Sequence, residues 1–415
     1  MPLFDVNGKA MEVCSVSQET CQQARDLTPR VRETLGTNGT APPPNLPLTV
    51  LSGVFLLTVS GFIFSRTQIR QTSLTRRLAL GVSGCGVLLV VLMVIAVSVG
   101  PVDLTPRDSM TGLLEAVGIG DSSATVTEQL VIERIRLPRI LLAMLVGAAL
   151  GISGAAMQSL FRNPLADPGI IGVSSGGALG AVIAISIGAQ AASGLFLPLF
   201  SFAGAFAATA LVYGIASSGG RTSMATLLLA GVAVSSFLGA IVSGIITFTS
   251  NSDIQREIIF WLAGGFDSAG WEDVQISFPL IFAGVAVVVA NSRELNLLML
   301  GDDEAASLGV RTTATRIIIL AGATLATGTA VAFSGTIAFV GLVVPHMLRL
   351  VMGPDNRVLL PLSALGGAAF MLGADTIART LVTPAEIRVG IITAFIGAPF
   401  FLFLLARNRA RAEAL

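Results

Sequence analysis

Uncharged apolar runs of about 20 residues recur along this 415-residue chain, each long enough to cross roughly 30 Å of hydrocarbon as a helix. Inside a bilayer no water satisfies backbone polar groups, so a spanning chain must form helices or a closed barrel. The runs are continuous rather than alternating, which excludes the barrel. Charged residues make up only 12% of the chain and hydrophobic residues 53%; a soluble domain is usually about one-quarter charged. The sequence therefore predicts an all-α polytopic membrane protein.

Ten candidate spans follow from the pattern: 78–100, 138–160, 169–192, 194–216, 224–248, 273–290, 313–334, a short one near 337–350, 357–378 and 387–406. Residues 46–65 would add an extra N-terminal transmembrane helix, with an interfacial segment as the alternative. Residues 1–45 are polar, contain APPPN at 41–45 and read as a disordered tail. They lack the basic start and short apolar core of a signal peptide. Cys14 and Cys21 could pair on the outside or stand as two free thiols.

Arg66, Arg70, Arg76 and Arg77 place the 66–77 loop in the cytoplasm by the positive-inside rule. Alternation then puts 101–137 outside, and 161–168, 217–223, 291–312, 351–356 and the basic tail 407–415 inside. Arg407, Arg409 and Arg411 agree with that assignment.

Residues 147–164, GAALGISGAAMQSLFRNP, return at 328–345 as GTAVAFSGTIAFVGLVVP. Gly147, Ala149, Ser153, Gly154 and Pro164 match Gly328, Ala330, Ser334, Gly335 and Pro345 in register. The copies lie five crossings apart, and an odd number reverses direction through the bilayer. Inverted repeats of this kind build alternating-access pathways in many transporters.

Several chemistries are excluded. Lys9 is the only lysine, so no phosphate-binding loop with its lysine can be built and any ATP hydrolysis belongs to another chain. The three cysteines and the single His346 form no metal-ligand spacing, and no metal or cofactor site is expected. The formal net charge is zero, giving no signal for nucleic acid. Ion-coupled transporters bury carboxylates along their route. Here Asp375 is the clear intramembrane acid, open to reading as a proton relay or as a helix-packing acid.

Three constellations remain. Arg136 and Arg139 in RIRLPR, with Arg379 and Arg388, fall at outer span ends against the positive-inside trend. They could grip carboxylates of an external partner or simply snorkel. The loop NSRELNLLMLGDDEAASLGVRT at 291–312 suggests short amphipathic helices on the cytoplasmic face that fit a groove on another protein, or else a solvated linker. The NPLADPG turn at 163–169, followed by Ser174, Ser175, Gly176 and Gly177, reads as close helix packing or as pore lining.

Taken in order, these segments resemble the permease subunits of the iron-siderophore, haem and vitamin B12 ABC importers, the FecCD-type family of type II importers. The resemblance runs from about residue 78 to 406. It rests on RLPR (136–139), VGAALGISGAAMQ (146–158), NPLADPGIIGVSSG (163–176), LLLAGVA (227–233), WLAGGFD (261–267), LGDDEAASLGV (300–310), FVGLVVPHMLRL (339–350), DNRVLLP (355–361), GADTIAR (373–379) and IGAP (396–399).

The resemblance implies a ten-helix core per subunit and a homodimer in the cell membrane with the pathway at its centre. It implies a solute-binding protein docked outside and two ATPase subunits, carrying ATP and Mg, docked inside. By position, Arg136, Arg139 and Arg379 match the arginines that grip the binding protein. Gly301, Asp302, Asp303, Glu304, Ala305, Ser307, Leu308 and Gly309 match the region that receives the ATPase stroke. Met224 and Ala225 match the cytoplasmic gate, where the vitamin B12 permease has small hydroxyl residues, so the gate chemistry here departs from it.

The function expected is a non-enzymatic permease for an iron chelate, ferric siderophore or haem, with cobalamin as the alternative cargo. An ion-coupled secondary transporter is the alternative of another class.

Overall fold

The computed structural model describes residues 73–99, 126–189, 193–218, 221–222, 224–382 and 385–412. The expectations for the 1–45 tail, the 46–65 span, Arg66, Arg70, Cys14 and Cys21 lie outside the described residues, as does most of the 101–137 loop.

The described chain is helical throughout, apart from a two-residue strand pair, Ser217–Ser218 with Arg221–Thr222. In chain order the helices are α1 (Leu74–Ser98), a short helix Val126–Val131 that continues through a π-helical turn (Ile132–Arg136) into α2 (Leu137–Leu160), then α3 (Val173–Ser186), α4 (Phe196–Ala216) and α5 (Met224–Phe248). They continue with α6 (Ser252–Leu262), α7 (Trp271–Ala290), α8 (Ser292–Leu298) and α9 (Asp302–Ser307). The last four are α10 (Thr312–Ser334), α11 (Val340–Met352), α12 (Asn356–Thr380) and α13 (Val389–Ala412). Among the described residues, seven helices are long and apolar enough to span, and α3, α11 and the start of α13 are shorter apolar helices. These ten correspond one for one to the ten predicted spans.

Helix α2 is the spine. It packs most extensively on α12 and also on α10, α11 and α7. Apolar burial does not drive association between helices in lipid, so close backbone approach must supply the contact. The sequence provides it with glycine: a Cβ on Gly147 or Gly151 would collide with the carbonyls of Gly367 or Ser363 on α12. The α3–α4 crossing is built the same way, with Gly176 and Gly180 against the backbone of Gly204 and Phe200. Gly176 and Gly177 thus serve packing.

Three local departures from the predicted elements stand out. The span predicted at 169–192 is shortened to Val173–Ser186 because Pro168 opens a four-residue 3-10 turn and Gly172, at φ 86°, turns the chain into α3. Helix α6, with SDIQREIIFWL, was not foreseen; eleven residues with alternating charge and bulk are too short and too polar to read as a span. At the C-terminus α13 runs through Ala412, so the segment expected as a separate tail begins as helix.

Of the residues matched in the sequence repeat, Gly147, Ala149 and Ser153 in α2 and their counterparts Gly328, Ala330 and Ser334 in α10 are all helical, whereas the last two pairs differ. Gly154 lies inside α2, where a Cβ would strike Gly341 O. Its counterpart Gly335, at φ 70°, ends α10.

Candidate functional sites at the two ends of the bundle

At the end predicted to be extracytoplasmic, the first turn of α2, the last turn of α12 and the loop before α13 converge. Arg139 gives Nη2 and Nε to Asp375 Oδ1 at 2.9 and 3.1 Å, and Nη1 to Glu386 Oε2 at 2.8 Å. Its Nη2 also lies 3.9 Å from Asp267. Arg379, one turn after Asp375 on α12, pairs with its other oxygen at 3.1 Å. Arg388 pairs with Asp267 and stacks over Phe260, 4.7 Å from the ring centre. Three arginines thus meet three carboxylates, and the cluster is electrically balanced. Burial depresses the Arg388 guanidinium below its ordinary value, with the nearby Arg139 charge adding to the effect.

Arg136 and Arg379 also complete α1. The last turn of α1 has no basic residue, and its final carbonyls lack helical partners. Arg136 donates to Val97 O, and Arg379 donates to Ala96 O and Val99 O, both at 3.2 Å. Cations at a helix C-terminus also meet the negative end of its dipole.

The structure therefore gathers the three predicted docking arginines but does not leave them free. Their exposures are 3% for Arg136, 8% for Arg139 and 5% for Arg379, and each is engaged inside the chain. They do not snorkel either. Sequence reading missed the carboxylate partners Asp267 and Glu386, because only the fold brings these distant loops together.

At the opposite end, the 291–312 loop forms the two short helices α8 and α9. Leu295 and Leu298 are buried and anchor α8. In α9, Ala305 is buried, whereas Asp303, Glu304, Ala306, Ser307 and Leu308 face outward. Gly301 precedes α9 at φ 145°, and a Cβ there would run into the Glu304 carboxylate. The acids of α9 all lie in its first turn, where they meet the positive end of the helix. Asp302 accepts from Arg162 Nη2 at 3.1 Å and from Arg316.

A second polar cluster fastens α8 to the bundle. Asn296 donates to Asp355 Oδ1 at 2.7 Å and accepts from the Asn356 backbone and side chain, each at 2.9 Å. Ser159 at the end of α2 donates to Asn356 Oδ1 at 2.7 Å. The Asp355 carboxyl is held down at about 2, chiefly by hydrogen bonding from the Arg357 side chain. The DNR triplet at 355–357 was the available sequence signal, but it named no partner.

Met224 is half-buried and Ala225 exposed at the start of α5, just past the strand pair. Beyond them, α5 exposes Leu229, Val232 and Phe237. Between α2 and α3, Asp167 caps the 3-10 turn by accepting from Gly169 N at 2.8 Å. Burial pushes its carboxyl above the ordinary range, against the lowering effect of that bond.

A bundle of ten apolar helices, closed by an ionic cluster at one end and presenting two short helices at the other, defines a multi-pass membrane protein. The chain belongs to the FecCD transport family, whose family model matches residues 88–407.

It is 44% identical to the cobalamin import system permease of Halobacterium salinarum, over 80% of this chain and 96% of that one. It is 44% identical to the haemin transport system permease of Yersinia pestis, over 66% and 83%. With the Fe(3+)-citrate import system permease of Bacillus subtilis it shares 40% identity over 75% and 90%. A solved structure described as a metal-chelate type ABC transporter in an inward-facing conformation matches with a TM-score of 0.68 at 35% identity. That likeness covers 79% of this chain and 98% of the other.

Proposed function

We propose that this chain is the permease subunit of an ATP-driven importer for a bulky metal chelate. The observation that carries the reading is the α8–α9 pair. Its acidic, Leu308-bearing face stands outward at the predicted cytoplasmic end, while Leu295, Leu298 and Asn296 hold its other side to the bundle. That arrangement suits a surface pushed by another protein, with Gly301 to Glu304, Ala305 and Ser307 to Gly309 as the contact region. With Lys9 the only lysine, ATP and Mg belong to two separate ATPase subunits.

The exposed apolar face of α5 supports a homodimer, with Met224 and Ala225 at its cytoplasmic gate. Arg136, Arg139 and Arg379 are the proposed docking points for an extracytoplasmic solute-binding protein. Because they are already paired, a docking carboxylate would exchange with Glu386, the half-exposed partner of Arg139.

The haemin and iron-citrate relatives support an iron chelate as cargo. Cobalamin is the second reading, favoured by the halobacterial relative that matches over most of both chains. The test assembles the permease with its ATPase and binding protein and screens ATP hydrolysis against haem, ferric siderophores and cobalamin. Stimulation by one of these supports the reading; hydrolysis indifferent to all of them contradicts it.

A further inference from the structure

Asp302 is the acid of α9 that turns back into the protein. Among the described residues, it alone of Asp302, Asp303 and Glu304 forms ion pairs, and its Oδ1 serves two guanidiniums at once. One belongs to Arg316, on the second turn of α10, with its side chain only 6% exposed. The other belongs to Arg162, just past the end of α2, in the turn that leads to α3. Arg162 holds φ 50°, a left-handed conformation that non-glycine residues rarely adopt. A single carboxylate oxygen therefore joins the short exposed helix to two separate parts of the bundle.

The two arms differ in kind. Arg316 is buried and its Nε has no hydrogen-bond partner among the described residues, so the Asp302 pair compensates a charge that the fold has taken out of water. Arg162 is exposed, and an exposed pair contributes little to folding while paying to hold two side chains in one geometry. The left-handed backbone at Arg162 closes α2, with Arg162 N donating to Ser159 O at 3.2 Å and Asn163 N to Gln158 O at 3.1 Å, so the helix end and not the Asp302 contact sets it. A mechanical role accounts for one carboxylate oxygen being shared between a buried and an exposed guanidinium from separate parts of the bundle. Displacing α9 by its N-terminal turn would draw on α10 and on the α2–α3 turn together.

We propose that Asp302 is a positioning residue for energy coupling, passing movement of α9 to α10 through Arg316 and to the α2–α3 turn through Arg162. The proposal rests on the importer reading above, which places the ATPase contact on α9.

The test uses the full complex of permease, ATPase and binding protein in proteoliposomes. It measures uptake of cobalamin, haem or ferric siderophore per ATP hydrolysed, together with the thermal stability of the permease. Arg162→Gln is the deciding variant because its pair is exposed. It should retain stability and ATP hydrolysis while uptake per ATP falls by about fivefold or more, the lower range of typical coupling effects. Arg162→Lys should restore most of the uptake, and Asp302→Glu should exceed Asp302→Asn.

Unchanged uptake per ATP in Arg162→Gln overturns the proposal. So does a parallel fall of stability and uptake that Arg162→Lys does not rescue. A wild-type complex without ATP-dependent uptake would instead sink the importer reading itself.

Discussion

Arg139 grips Asp375 with two of its nitrogens, Nη2 at 2.9 Å and Nε at 3.1 Å, and Asp375 has no solvent exposure. The pair joins the first turn of α2 to the last turns of α12, the two helices in most extensive contact. An intramembrane carboxylate invites a proton-relay reading. The ion-pair partners of this one are the guanidiniums of Arg139 and Arg379, which makes it a helix-packing acid. Glycine contacts bring the same helices together in mid-membrane, so α2 and α12 are held by packing along their length and by charge at one end.

Asp375→Asn should destabilise the permease by about 3–5 kcal/mol, because it leaves Arg139 and Arg379 buried without their shared counter-charge. Thermal unfolding in detergent measures this. A melting temperature equal to wild type would show that the pair does not hold α2 to α12.

Gly147→Val should cost about 1–3 kcal/mol, since the added carbons meet Gly367 O and Met371 with no room to move. Gly84→Ala on α1 is the control, with nothing among the described residues within 4 Å of the new Cβ. It should leave stability unchanged or raised. Equal behaviour of the two variants would contradict the close crossing.

Asp167→Asn tests the turn between α2 and α3. The folded-state carboxyl lies above its unfolded value, so its contribution is most favourable below about pH 3.9 and is lost as pH rises through the folded value. Asparagine keeps the acceptor for Gly169 N–H and removes the charge. The variant should melt higher than wild type at pH 7, with the difference shrinking toward pH 4. A difference constant with pH would refute the assignment.

Glu386→Gln tests docking without disturbing the centre of the ionic cluster, whereas Arg139→Glu would set a like charge against Asp375. The variant leaves the Asp375 pair intact and weakens the competitor at Arg139 Nη1. Affinity for the binding protein should rise, by up to about tenfold for one charged hydrogen bond. Titration of labelled binding protein onto the reconstituted permease reads this. No change, or a fall, would count against docking through Arg139.

The helices were legible where hydrophobicity was uninterrupted. The span read at 224–248 is α5 to the residue, since nothing in that run breaks a helix. Residues 169–192 misled because the NPLADPG turn was ended at Gly169, whereas the 3-10 turn runs on to Ile171 and Gly172 opens α3; α6 was missed because its two faces average to a polar segment. The arginines were found from their violation of the charge rule. Their pairing was not legible, since Asp375 and Glu386 lie 236 and 247 residues from Arg139. Asn296, Asn356 and Ser159 escaped for the same reason: short polar side chains become a cluster only when three helices converge.

Uptake into proteoliposomes that contain this permease with the proposed ATPase, and carry the binding protein outside, separates an ATP-driven importer from an ion-coupled transporter. Uptake of cobalamin, haem or ferric siderophore should require ATP on the ATPase side, and should persist when ionophores collapse proton and sodium gradients. Uptake that proceeds without ATP and stops with the ionophore would contradict the account and return the chain to the ion-coupled transporters.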